Sequence, residues 1–139
     1  ALLPVTFTPD HYGNSEDPRV TGPMTKVIDH PIFTGIDLTH SPNLGLRVGC
    51  VARDQATLIA KAEDGQTVLA EGMLGKGRVV VCTAPFGGHN YQQPAFRIWG
   101  YANHLLTNVV EYAARGEVGD RERSPHALTA LLAQPVSST

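Results

Sequence analysis

Apolar residues fall along this chain in two spacings. Between residues 44 and 84 they come as four short runs, residues 44–51, 56–62, 68–73 and 78–84, each of strand length and composition. Glu63-Asp64-Gly65-Gln66 separates the second run from the third, and Gly75-Lys76-Gly77 separates the third from the fourth. Both are tight-turn sequences, because glycine reaches the positive φ that hairpins need. The last three runs therefore predict an antiparallel meander. Val79, Val80 and Val81 are uninterrupted, which predicts a strand covered on both faces. From residue 94 the spacing changes to three and four. Ile98, Ala102, Leu105, Val109 and Tyr112 make one stripe, and Trp99, Leu106, Val110 and Ala113 widen it. This predicts a helix over residues 94–115. Pro94 opens it where a missing N–H costs nothing, and Arg115 and Gly116 suit its C-terminal end. A stripe so wide belongs against a sheet.

The flanks are less regular. Residues 2–7 are apolar but broken by Pro4, as in an edge strand or an extended entry. Residues 8–23 hold three prolines and two glycines and read as an exposed loop. Residues 24–28 suit a brief strand or turn. In HPIFTGIDL, His30 precedes a proline and orders a turn, while Ile32, Phe33, Ile36 and Leu38 anchor the segment by packing. Residues 117–123 form a charged linker. Residues 125–134 read either as a short apolar helix, with Leu128, Leu131 and Leu132 on one side, or as a loose terminus. The expected organisation is one α/β unit over residues 1–116, then a linker and a tail or docking segment over residues 117–139.

Composition narrows the class. At 139 residues, with 42% hydrophobic and 17% charged positions, the chain suits a single folded domain rather than a disordered one. Its net charge of −2 and its eleven scattered Lys and Arg give no basic patch for nucleic acid. No apolar run approaches the roughly 18 residues of a membrane span, and no signal peptide opens the chain. Cys50 and Cys82 lie in apolar runs without CxxC spacing. They read as buried free thiols in a cytoplasmic protein, with no metal site. The chain enters the apolar run ALLPVTF at once, which suggests part of something longer.

The candidate chemistry lies in residues 85–93, PFGGHNYQQ, between the valine strand and the helix. Ligands in α/β folds collect at such strand-to-helix loops. Gly87 and Gly88 allow a sharp turn and close approach of a ligand. His89 suits a general base or a metal ligand, and Asn90 and Tyr91 offer hydrogen bonds. The helix N-terminus beyond would favour an anion. The plainer reading is that Gly-Gly makes the turn and His89 satisfies backbone groups. His104 has Gly100 and Asn108 at four-residue spacing, so it builds no metal pair. His11 would at most line a cleft, and His40 and His126 carry no signal. Val48-Gly49-Cys50-Val51-Ala52 lacks the second glycine of a nucleophile elbow, so Cys50 is not a candidate nucleophile. Gly75-Lys76-Gly77 is a turn and not a phosphate loop.

HPIFTGID, then ATLIAKAEDGQTVLAEGMLGKGRVVVCTAPFGGHNY, then an apolar helix ending EYAARG, resembles the C-terminal half of class I glutamine-amidotransferase-like domains. The likeness is closest to the trehalose-utilisation (ThuA-like) branch and covers about residues 2–116. It implies a flavodoxin-like α/β sandwich with an antiparallel meander and a long closing helix. Active members place a cysteine elbow in the first half, and a histidine and a glutamate after a late strand. His89 resembles that histidine in position. Tyr91 stands where the glutamate would be, and no elbow is present. The resemblance thus implies a binding and assembly module without a complete catalytic set. Another segment or chain would complete the fold, in an oligomer or larger complex. A small polar ligand, such as a sugar, would sit near His89 and Pro94, with no cofactor. Two alternatives stand beside it. One is a ThuA-like or amidotransferase-like hydrolase, with His89 as base and its nucleophile on a missing N-terminal half. The other is a structural subunit docked through residues 125–134.

Overall fold

The computed structural model describes residues 2–12, 22–45, 48–86, 96 and 98–119. Its strands are β1 (Val5–Tyr12), β2 (Met24–Lys26), β3 (Val48–Ala52), β4 (Thr57–Ala62), β5 (Thr67–Leu74) and β6 (Gly77–Cys82). A 3-10 turn, Pro31–Phe33, follows β2, and helix α1 (Ala102–Arg115) follows β6. Strands β2, β4, β5 and β6 form an antiparallel sheet in that order, while β1 and β3 pair as a separate antiparallel ribbon.

The expected meander is present. Gly65, at φ 83°, turns β4 into β5, and the Asp64 carboxylate accepts from the Gln66 N–H at 2.9 Å within that turn. Gly75, at φ 59°, with Lys76 makes the two-residue connection into β6, and pairing then runs unbroken from Leu74 opposite Gly77 to Leu69 opposite Cys82. The β4–β5 register shifts around Ala60.

The sheet is covered on both faces. On one side the ribbon packs Val5 and Cys50 against Ala70, with Ala52 and Val81 beside them. Pro4 lies so near Gly72 that a Cβ there would meet the proline Cβ at 3.0 Å. Thr67 ties the layers together. Its hydroxyl accepts from the Ala52 N–H at 2.9 Å, and its carbonyl accepts from the Cys50 thiol at 3.5 Å. On the other side α1 and the 3-10 turn bury Ile32, Phe33, Leu69, Leu105 and Val109 in one cluster, with Ile36 and Leu38 partly buried against it. Each fully buried leucine there contributes about 2 kcal/mol. Asn108, with no exposure, donates from Nδ2 to the Ile32 and Thr34 carbonyls at 2.9 Å each and so fastens the turn to the helix.

Several expectations change. Residues 8–12, read as loop, continue β1: the register with β3 shifts after Phe7, and pairing resumes at Tyr12 opposite Val48. The run at residues 44–51 becomes strand at Val48 and pairs with β1, outside the meander. The buried Leu44 is held by its N–H to the Gly22 carbonyl at 2.9 Å. β6 meets packing on both faces, Val80 and Cys82 toward the helix and Val81 toward the ribbon. Its residues from Arg78 to Cys82 are nonetheless half-buried, because β6 is an edge strand of the described sheet. The helical stripe narrows as well. Residues 99–101 form a turn at Gly100, a poor helix former, and α1 starts at Ala102. Ala102, Leu105, Val109 and Tyr112 are buried, but Ile98, Leu106 and Val110 are 80%, 39% and 61% exposed. Gly116, at φ 77°, closes the helix as expected.

Candidate functional site

The loop residues His89, Gly87, Gly88, Asn90 and Tyr91 lie outside the described residues, as do Pro94 and residues 120–139. Within the described residues, ionisable groups converge at one place, where the 3-10 turn, β5, β6 and α1 meet.

Glu71 is the centre of that cluster. It sits on β5 two positions after Leu69, and alternation along the strand aims it at the helix-covered face. A carboxylate there needs partners. It has three: Tyr112 donates its hydroxyl to Oε2 at 3.0 Å, Arg78 brings Nε to 3.5 Å from Oε2, and His30 Nε2 stands 3.4 Å from Oε1. Arg78 reaches the cluster from β6 across the hairpin. Its guanidinium lies 4.7 Å from the centre of the Tyr112 ring and donates to the Tyr112 carbonyl at 3.3 Å.

His30 is held at both ring nitrogens. Nδ1 accepts from the Ile32 N–H at 3.3 Å, capping the 3-10 turn, so its proton belongs on Nε2, facing Glu71. The ring meets Tyr112 edge-on at 4.5 Å, and the side chain is 5% exposed. A histidine fixed this way has no free lone pair with which to accept a proton from substrate. Burial pushes the Tyr112 phenol above its usual range. The Glu71 hydrogen bond and negative charge push it the same way, against a smaller opposing pull from Arg78.

Beside the cluster a shallow hollow of about 430 Å³ is lined by Lys26, Asp29, His30, Pro31, Phe33 and Thr34. Its polar groups are engaged locally. Lys26 pairs with Asp29 at 3.2 Å, and the Thr34 hydroxyl donates to the Pro31 carbonyl at 2.7 Å.

The two thiols do not join the cluster. Cys50 faces the ribbon side of the sheet, away from Glu71. Cys82 faces the helix side, and burial pushes its thiol up to about 11, which leaves little thiolate at neutral pH. No group of three His, Cys, Asp or Glu suited to a metal ion occurs among the described residues. No helix among them is long and apolar enough to cross a membrane.

Of these residues, sequence reasoning placed His30 at a turn and Tyr112 in the buried stripe, and passed over Glu71 and Arg78. The signal was a lone carboxylate at an inward position of a mostly apolar strand, with an arginine at the start of the next strand across a tight turn, diagonal to it in the register.

Against this geometry the comparisons are specific about family. A family model described as "Putative glutamine amidotransferase" matches residues 1–115, and the chain belongs to that family. The fold is similar to that of two solved structures from Salmonella typhimurium. Cytoplasmic Protein STM3548 is 21% identical with a TM-score of 0.61, and Cytoplasmic Protein STM1381, from LT2, is 21% identical with a TM-score of 0.62. Each match covers 81% of this chain and 44% of the solved one, so this chain spans less than half the length of either. A search of the curated proteins finds no match.

Proposed function

We propose that this chain is a non-hydrolytic amidotransferase-like module that binds a small polar ligand and works with a complementary segment of the family fold. In this reading it is the C-terminal half of a flavodoxin-like sandwich of the ThuA-like branch, acting in the cytoplasm. The ligand, such as a sugar, is held near Gly87, Gly88, His89, Asn90 and Tyr91. One observation carries the reading. The ionisable groups that converge in the described structure, His30, Glu71, Arg78 and Tyr112, are engaged with one another, and among the described residues neither thiol joins them. Amide hydrolysis through a covalent intermediate needs a nucleophile within hydrogen-bond reach of a base. The match to 44% of each solved chain supports a complementary segment.

The test is ammonia release from glutamine by the native protein, compared with its His89→Ala variant. The expected result is no release above the buffer rate from either. Release that His89→Ala abolishes would overturn the proposal in favour of a hydrolase with His89 as base.

A further inference from the structure

A second hollow, of about 120 Å³, lies where the chain entering β1 crosses β5, beside the turn from β3 into β4. Its floor exists because residue 72 is glycine. A Cβ there would press on the Pro4 ring, so the bare backbone lets the segment before β1 settle onto β5. Leu2, Leu3 and Met73 stand around this floor and are 71%, 42% and 66% exposed. Large apolar side chains clustered in the open mark interaction sites, unlike those scattered singly.

The polar part of the lining comes from Arg53 and Gln55, both in the β3–β4 turn. The Arg53 backbone N–H donates to the Pro4 carbonyl at 2.9 Å, and its Nε donates to the Val5 carbonyl at 3.3 Å. The second bond holds the guanidinium against the start of β1. It uses one donor of the fork, and among the described residues no carboxylate takes the others. Asp54, next in the chain, does not line the hollow. A planar fork fixed at its inner nitrogen presents its two terminal nitrogens side by side. That geometry receives a carboxylate through two parallel N–H donors.

We infer that this hollow is a binding site for a small aliphatic carboxylate. Arg53 takes the head group, the Gln55 amide donates beside it, and the aliphatic body lies among Leu2, Leu3 and Met73. The volume equals that of about four waters, which holds the body to about three or four carbons. An amine would be repelled by Arg53, and a bare inorganic anion would leave the apolar walls uncovered. The inference uses none of the residues assigned above to the polar ligand, so it does not depend on that reading.

The experiment titrates sodium butanoate into the isotope-labelled full-length protein at constant ionic strength and follows the amide resonances. Sodium chloride and butanol are the paired controls. The expected result is saturable shifts at Arg53, Ala56, Gly72 and Met73 with butanoate, which neither control reproduces. Arg53→Gln weakens binding about tenfold or more, through loss of the charge-assisted pair. Gly72→Ala displaces Pro4 and abolishes the saturable shifts. Arg53 is exposed, so its variant carries the test even where Gly72→Ala fails to fold. Shifts that butanol matches would overturn the inference, as would equal affinity in Arg53→Gln or shifts that never saturate. Saturable shifts centred on residues 87–91 would also overturn it, while leaving the proposed function standing.

Discussion

Replacing Asn108 tests how the candidate cluster is assembled. Its Nδ2 donates to two carbonyls of the turn that carries His30, and the residue has no exposed surface. Asn108→Leu keeps most of the volume and removes both donors. The Ile32 carbonyl is left buried without that donor, which costs about 1–3 kcal/mol. The Thr34 carbonyl is only partly buried and recovers water, so its loss is about 0.5–1 kcal/mol. The expected destabilisation is about 2–4 kcal/mol, large beside the 5–15 kcal/mol of an ordinary domain. Asn108→Asp should cost more at neutral pH, since a carboxylate then faces two carbonyl oxygens. That burial raises its pKa in the folded state. The variant should therefore regain stability as pH falls into the carboxyl range, where a protonated Asp donates again. Urea unfolding with an unchanged m-value measures each difference. A loss below about 0.5 kcal/mol for Asn108→Leu would refute the claim that this side chain fastens the turn to the helix.

Two further outcomes concern the ionisable groups. The Tyr112 phenol is raised from its ordinary value of 10.0, so the folded state holds that proton more tightly than the unfolded chain does. The stability this supplies is complete below pH 10 and lost as pH rises through the folded value. Tyr112→Phe should flatten the alkaline limb of a stability–pH curve, and an unchanged limb would remove Tyr112 from that account. The Cys82 thiol, raised to about 11 by burial, should resist alkylation at neutral pH until the protein unfolds. Labelling of native Cys82 as fast as of the denatured chain would contradict its burial.

The meander was legible because its turns are written in glycine. Gly65 and Gly75 sit where hairpins need positive φ, and the apolar runs between them have strand length. The anchors of HPIFTGIDL were legible for a similar reason, since their apolar positions flank a turn. β1 was cut short because its pairing partner, β3, is distant in the chain, and the bulge after Phe7 breaks its pattern. Proline and glycine nearby spoke more loudly than a strand that exists through tertiary pairing. Periodicity likewise drew one helix through Gly100, although it cannot tell a face buried here from one reserved for a neighbour. That is why Leu106 and Val110 were assigned to the core. The Glu71 cluster was invisible for a different reason. Its members come from four elements, and only the fold brings them together.

The ribbon also bears on the order in which the chain folds. The β4–β5–β6 meander closes through connections of a few residues, so its pairing is available early, whereas Val5 must find Ala52 across a long stretch of chain. Thr67 then fastens the ribbon to a platform already made. The ribbon should accordingly be last to join and first to leave. Native-state hydrogen exchange would show its amides opening at lower free energy than those of β5, and equal protection would refute that order. Its departure would uncover Cys50 and Ala70, turning a closed thiol into a reporter of partial opening.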